Sequence, residues 1–162
     1  MLCNSTAYNI RCASEDSHSV KVQVDGDVVE HLSRIDISWS VQIQNIWYRF
    51  AILEFKRPGA IHGSHWAPAL TGEPVVRSAQ KICQQLTKYA YSFGGPFVGV
   101  CDWVHLVLLQ LEGDRNRWCN AAEGISARFR WVSDRNEFKR NLYVFLKEAL
   151  KYFLLANGYA EQ

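Results

Sequence analysis

The sequence has no Cys-x-x-Cys pair, almost no net charge and no long apolar run, and each absence removes a class of protein. Its five cysteines (Cys3, Cys12, Cys83, Cys101 and Cys119) are odd in number and widely spaced. That spacing suggests neither a zinc ribbon nor a disulfide framework, and reduced thiols make the cytosol or nucleus the expected compartment. A net charge of +2 is too small to argue for nucleic acid by itself, because phosphate binding leaves a concentrated basic footprint. A local basic groove is still compatible with it. Residues 1–16 lack the basic-then-apolar order of a signal segment, and no apolar stretch approaches the roughly 20 residues of a membrane span. No membrane partner is expected. Repeats, low-complexity tracts and internal linkers are also missing.

What is present is the material of one folded domain. Of the 162 residues 48% are hydrophobic and six are tryptophan, enough to bury a core without metal or disulfide staples. Residues 1–19 are polar, without a sustained period, and read as a flexible amino-terminal arm; residues 20–162 read as a single domain.

Val20 to Val24 alternates with period two and runs into a turn signal at Asp25-Gly26-Asp27. In Arg34 to Val41 the same period puts Ile35, Ile37, Trp39 and Val41 on one face and Arg34, Asp36, Ser38 and Ser40 on the other. A polar stretch at residues 42–45 leads into Trp47 to Phe55, whose Ala51-Ile52-Leu53 run suits a strand buried on both faces. Pro58-Gly59 stops it. After a loop over residues 61–72, Pro74 suits a first helical position, and Ala79, Ile82, Leu86 and Tyr89/Ala90 recur at helical spacing to about Tyr91. Two apolar strands, Phe97 to Cys101 and His105 to Leu111, read as a hairpin about Asp102-Trp103. A loop over residues 112–124, a short edge strand at Arg128 to Val132 and a long helix opened by the capping-box spacing of Asp134 to Glu137 complete the chain. The predicted fold is therefore α/β, a mixed central sheet flanked by helices.

Glu54 and Lys56 lie two apart on a strand and leave the same face, which Ile52 and Phe50 are expected to share. Pairing of the flanking strands through the 42–49 hairpin brings Asp36 beside Glu54. Adjacent carboxylates raise each other's pKa unless a cation lies between them. A hard divalent ion such as Mg²⁺ suits such a pair because it keeps several waters and needs few protein ligands. Lys56 is then placed to orient or deprotonate water, and the cation to stabilise charge on a phosphate.

Asp36 followed by Glu54-Phe55-Lys56 resembles the signature of the PD-(D/E)XK nuclease superfamily, an acidic residue on one strand and (D/E)-x-K on the next. Gln85-Leu86-Thr87-Lys88-Tyr89 is similar to the QxxxY element of the RecB and lambda-exonuclease branch. The likeness spans roughly residues 20–111, and the carboxy-terminal strand and helix resemble those of fungal proteins with restriction-endonuclease-like domains. It implies a restriction-endonuclease-like core with a carboxy-terminal helix extension and a metal-dependent nuclease acting on DNA. It further implies Asp36, Glu54 and the Phe55 carbonyl as ligands of Mg²⁺ (or Mn²⁺), and Asp36, Glu54 and Lys56 as the catalytic set. Gln85, Tyr89, Arg57 and Lys88 become the substrate-binding set, and a homodimer is an allowed assembly. Ile35 stands where the motif has proline. The acidic first helix of the family has no counterpart before Val20; Glu15 would replace its carboxylate only if the arm were helical, and Glu30 falls in the wrong place.

Each feature has a plainer reading. An E-x-K on a strand is also an ordinary exposed ion pair, and Tyr89 borders an apolar stripe and fits core packing. His62 and His65 lack a third ligand at metal spacing and fit a surface loop, with phosphate contact as the alternative. Asp102 is most simply a turn residue. The tryptophans suit a core more than base stacking, and Arg57, Lys81 and Lys88 fit either a phosphate groove or a solvated face. The alternative function is a PD-(D/E)XK-like domain without catalysis, serving as a nucleic-acid or protein binding module.

Overall fold

The computed structural model describes residues 8–24, 27–118 and 126–159. Three strands come first: β1 (Asn9–Val24), β2 (Asp27–Ile43) and β3 (Ile46–Phe55). A short helix α1 (Gly63–Trp66) and a 3₁₀ turn (Ala67–Thr71) lead to helix α2 (Arg77–Phe93). Strands β4 (Phe97–Cys101) and β5 (Leu106–Leu111), a one-turn helix α3 (Arg115–Trp118), strand β6 (Ala127–Val132) and helix α4 (Phe138–Ala156) follow. The expected α/β class and the order of its main strands and helices are observed. Residues 9–19, expected as a loose arm, instead form the first part of β1.

The six strands lie in sequence order, and all neighbours are antiparallel except β3 and β4. That one parallel pair requires a crossover, which α2 supplies. Consequently the carboxyl ends of β3 and β4 lie side by side, with Phe55 opposite Cys101. The β2–β3 hairpin closes through Gln44 and Asn45, both at positive φ (48° and 65°). Two such residues make the mirror-image turn whose twist matches that of the paired strands.

One core lies on each face of the sheet. On the α2 side Ile52, Val98, Val100 and Val107 pack against Ala79, Ile82, Leu86 and Ala90. On the α4 side Leu53, Phe97 and Leu108 pack against Phe145, Ala149 and Leu154. Strands β3, β4 and β5 are thus covered twice, which explains their continuous apolar runs. Asp134 caps the turn before α4 by accepting the Asn136 N–H at 2.9 Å, while Glu137 pairs with Arg140 rather than closing a capping box.

Three local expectations change. Phe50 does not share a face with Ile52 and Glu54, because a bulge sets Trp39 against Ala51 but Ser40 against Arg49, and Phe50 turns to the α4 side. Ile35 packs on the α2 side, although Ile37, Trp39 and Val41 belong to the α4 side, so β2 turns over at Asp36. Helix α2 starts at Arg77 and not at Pro74, since the Val76 N–H is held by the His65 carbonyl at 3.1 Å and keeps the approach extended.

Candidate active site

The site forms where the β2–β3 ladder ends. Its last pairs run to Ile37 opposite Leu53, one residue short of Asp36 and Glu54. Beyond that point the Asp36 carboxylate replaces the backbone as acceptor: Phe55 N–H donates to Asp36 Oδ2 at 2.6 Å. The middle residue of Glu54-Phe55-Lys56 is therefore tied to the first acidic residue, fixing both carboxylates at one sheet edge. At that edge the Lys56 N–H continues toward β4 by donating to the Cys101 carbonyl at 2.8 Å.

Glu54 and Lys56 do leave one face, the face covered by α2. Lys56 Nζ donates to Glu54 Oε1 at 2.9 Å and to Gln85 Oε1 at 2.7 Å. Gln85 Nε2 donates to Glu54 Oε1 at 3.2 Å and to the Tyr89 hydroxyl at 2.6 Å. The four-residue spacing of Gln85 and Tyr89 puts both on the inner side of the helix, so Gln85 joins helix to strand through both ends of its amide. The side chain of Glu54 is only 10% exposed and that of Lys56 23%. This is a half-enclosed ion pair and not the exposed one of the plainer reading.

Burial raises the Glu54 pKa; Lys56 and Gln85 oppose the shift, and the nearby Asp36 charge adds to it. Burial also raises the Tyr89 pKa, with the Glu54 and Asp36 charges contributing. Its short bond is nonetheless to Gln85. Glu54 Oε2 is buried with no hydrogen-bond partner among the described residues. Such an oxygen asks for a proton or a cation. Among the described residues no three His, Cys, Asp or Glu side chains cluster as a metal site; the carboxylates at this site are Asp36 and Glu54. Two carboxylates suffice for Mg²⁺, which retains water in the remaining positions.

The remaining sequence candidates fall elsewhere. Phe55 turns its ring to the opposite face, stacked on Trp103 with centroids 4.9 Å apart. Arg57 is exposed in the turn after Lys56, and Lys88 and Lys81 are exposed on α2. His62 and His65 pack ring edge to ring at 5.0 Å, and His65 Nδ1 lies 2.7 Å from Ser78 Oγ. Burial lowers the His65 pKa, and His62 and Arg77 lower it further. Glu15 lies within β1 and so is not on a helix.

Asp102 is a turn residue, as expected, but a fully buried one with a wider role. Its Oδ1 accepts the N–H groups of Val104 at 3.0 Å and His105 at 2.7 Å, and its Oδ2 that of Ile61 at 2.9 Å. It thereby ties the β4–β5 turn to the loop after Lys56. The Asp-x-Val-His turn sequence hints at the first two bonds; no sequence signal marks the third.

Two surface clefts of about 460 and 540 Å³ share no residue with the Glu54–Lys56 network, so chemistry and not cavity size picks out the site. Comparison with family models, curated proteins and solved structures returned no match. Among the described residues no helix is long and apolar enough to cross a membrane.

Proposed function

We propose that this protein is a metal-dependent nuclease of the PD-(D/E)XK type, hydrolysing phosphodiester bonds in DNA. The observation that carries this reading is the convergence of Asp36, Glu54, Lys56, Gln85 and Tyr89 at the carboxyl ends of two parallel strands, the usual place for ligands in open α/β sheets. Asp36 and Glu54 would hold Mg²⁺ (or Mn²⁺), with the Phe55 carbonyl completing the protein's share. When bound, the cation supplies Lewis-acid polarisation of the phosphate.

The chain's own residues do the rest. Asp36 is oriented by the Phe55 N–H and Glu54 by Lys56 and Gln85. Lys56, released from Glu54, contacts the phosphate as the ammonium; only after giving up a proton to solvent is it placed to accept one from an attacking water. Gln85, braced by Tyr89, keeps Nζ at the mouth of the site. Arg57 and Lys88 are exposed cations available to the DNA backbone.

A second reading keeps the fold and drops catalysis: a nucleic-acid or protein binding module. It is favoured by the engagement of Lys56 Nζ with both Glu54 and Gln85. Cleavage of plasmid and single-stranded DNA with and without Mg²⁺, compared with Lys56→Ala and Asp36→Ala, decides between them. The nuclease reading expects metal-dependent cleavage lost in both variants. Cleavage unchanged in both removes the site, and no cleavage with no Mg²⁺ binding leaves the module.

A further inference from the structure

Trp103 is the least expected residue of the β4–β5 turn. It is 57% exposed and adopts φ 68°, a left-handed conformation unfavourable for a bulky side chain. Glycine or asparagine would make the same turn at lower cost. The conformation is nevertheless held firmly. Trp103 N–H donates to Cys101 Sγ at 3.4 Å, and the next two N–H groups are bound by the buried Asp102. Backbone held in a sparsely populated region is often retained where it positions a group for binding.

What it positions is a flat apolar surface. The Trp103 indole stacks on the Phe55 ring, the two planes 9° from parallel and the centroids 4.9 Å apart. Phe55 is the middle residue of Glu54-Phe55-Lys56, so the stack begins on the motif strand and ends in solvent. Exposed Val104 flanks it. Burial raises the pKa of neighbouring Cys101, and the charge of Arg135 acts in the opposite direction. Arg135 is itself exposed. A rigid indole with an open face, continuous through Phe55 with the catalytic strand, matches an unpaired nucleobase. A base pair inside a duplex offers no free face to stack on.

From this we infer that Trp103, backed by Phe55, is a stacking platform for an unpaired base of the DNA, so that single-stranded ends are the preferred substrate. The inference rests on the nuclease reading for its ligand class, and its test separates the two. Binding of fluorescein-labelled duplexes, blunt or carrying a three-nucleotide overhang, is measured by anisotropy in Ca²⁺ with product analysis alongside. A 2-aminopurine in the overhang reports stacking by quenching. Wild type should prefer the overhang; Trp103→Ala should weaken overhang binding about tenfold, leave blunt duplex unchanged and abolish quenching. Trp103→Phe, which keeps a ring, should retain most of the preference. Equal binding of overhang by wild type and Trp103→Ala overturns the platform, as does a wild type with no preference. Trp103-dependent preference without cleavage in Mg²⁺ upholds the platform and overturns the nuclease; cleavage without preference does the reverse. No DNA binding overturns both.

Discussion

The Gln85 side-chain carbonyl accepts a 2.7 Å hydrogen bond from Lys56 Nζ, joining helix α2 to the end of β3 at the one cation of the site network. Its amide end is committed to Tyr89 and Glu54, so the side chain has little freedom to turn. Removing it leaves the ammonium held by Glu54 alone and strips Tyr89 of its short bond. Gln85→Ala is expected to lower stability by about 1–2 kcal/mol in denaturant unfolding. It should also slow DNA cleavage by roughly tenfold, the loss expected when a proton-handling group is no longer held in place. Gln85→Glu keeps the acceptor for Lys56 but turns a carboxylate oxygen toward Glu54 where the amide donated, so it should lose stability and slow cleavage as well. A Gln85→Ala protein that cleaves at the wild-type rate would show that Lys56 needs no such brace.

Glu54 carries the pH signature of the site. Its folded pKa is raised from 4.5, chiefly by burial. A raised value means that the stability Glu54 contributes is full below pH 4.5 and is lost as pH rises through the folded pKa. In EDTA, Glu54→Gln should therefore gain on wild type as pH rises from 4.5 through the folded pKa, and the difference should level off above it, measured as the difference in melting temperature. Saturating Mg²⁺ should raise the wild-type Tm and leave the variant unmoved, since only the wild type has the second carboxylate. A difference that stays flat with pH, or a variant stabilised equally by Mg²⁺, would remove the cation from Glu54.

Gly99, at the centre of β4, tests the packing under the site. A Cβ built there would stand 2.9 Å from Leu53 Cδ1, 3.0 Å from Leu108 Cδ2 and 3.3 Å from the Val107 carbonyl oxygen. The leucine tips can rotate away; the carbonyl cannot. Gly99→Ala should cost about 1–3 kcal/mol through overpacking, and Gly99→Val more, both read from urea unfolding midpoints. Because Leu53 immediately precedes Glu54, the displaced strand should also weaken Mg²⁺ binding. Wild-type stability in Gly99→Ala would mean that the three strands close with slack.

The chemistry of this site was readable because its pieces are local. Glu54 and Lys56 need only the period of a strand, and Gln85 and Tyr89 only the turn of a helix. Asp36 required one further step, a hairpin, which the polar 42–45 stretch announces. What could not be read depends on pairing between distant segments. The bulge that turns Phe50 away exists because Ser40 meets Arg49, and period counting within β3 cannot see it. The first part of β1 was missed because residues 9–19 carry polar side chains without alternation, yet the backbone pairs with residues 32–42 of β2 regardless. The joining of Ile61 to Asp102 spans 41 residues and leaves no mark in either neighbourhood.

That same joining makes Asp102 the strongest structural prediction. Burial works against its charge, but the N–H groups of Ile61, His105 and Val104 outweigh burial and hold the carboxyl below its ordinary 3.8. A depressed folded pKa contributes stability that is present above pH 3.8 and lost as pH falls through the folded value. Asp102→Asn keeps the shape, loses the charge and turns an amide group toward N–H donors. It should cost about 2 kcal/mol or more at neutral pH, as expected for hydrogen bonds to a charged acceptor. The gap to wild type should hold constant from pH 8 to pH 5 and narrow below 3.8. Loosening should reach the site too, since the Ile61 bond anchors the loop that leaves Lys56, so hydrogen exchange at residues 57–62 should quicken in the variant. A gap that persists unchanged in acid would mean that Asp102 stabilises the turn by its shape and not by its charge.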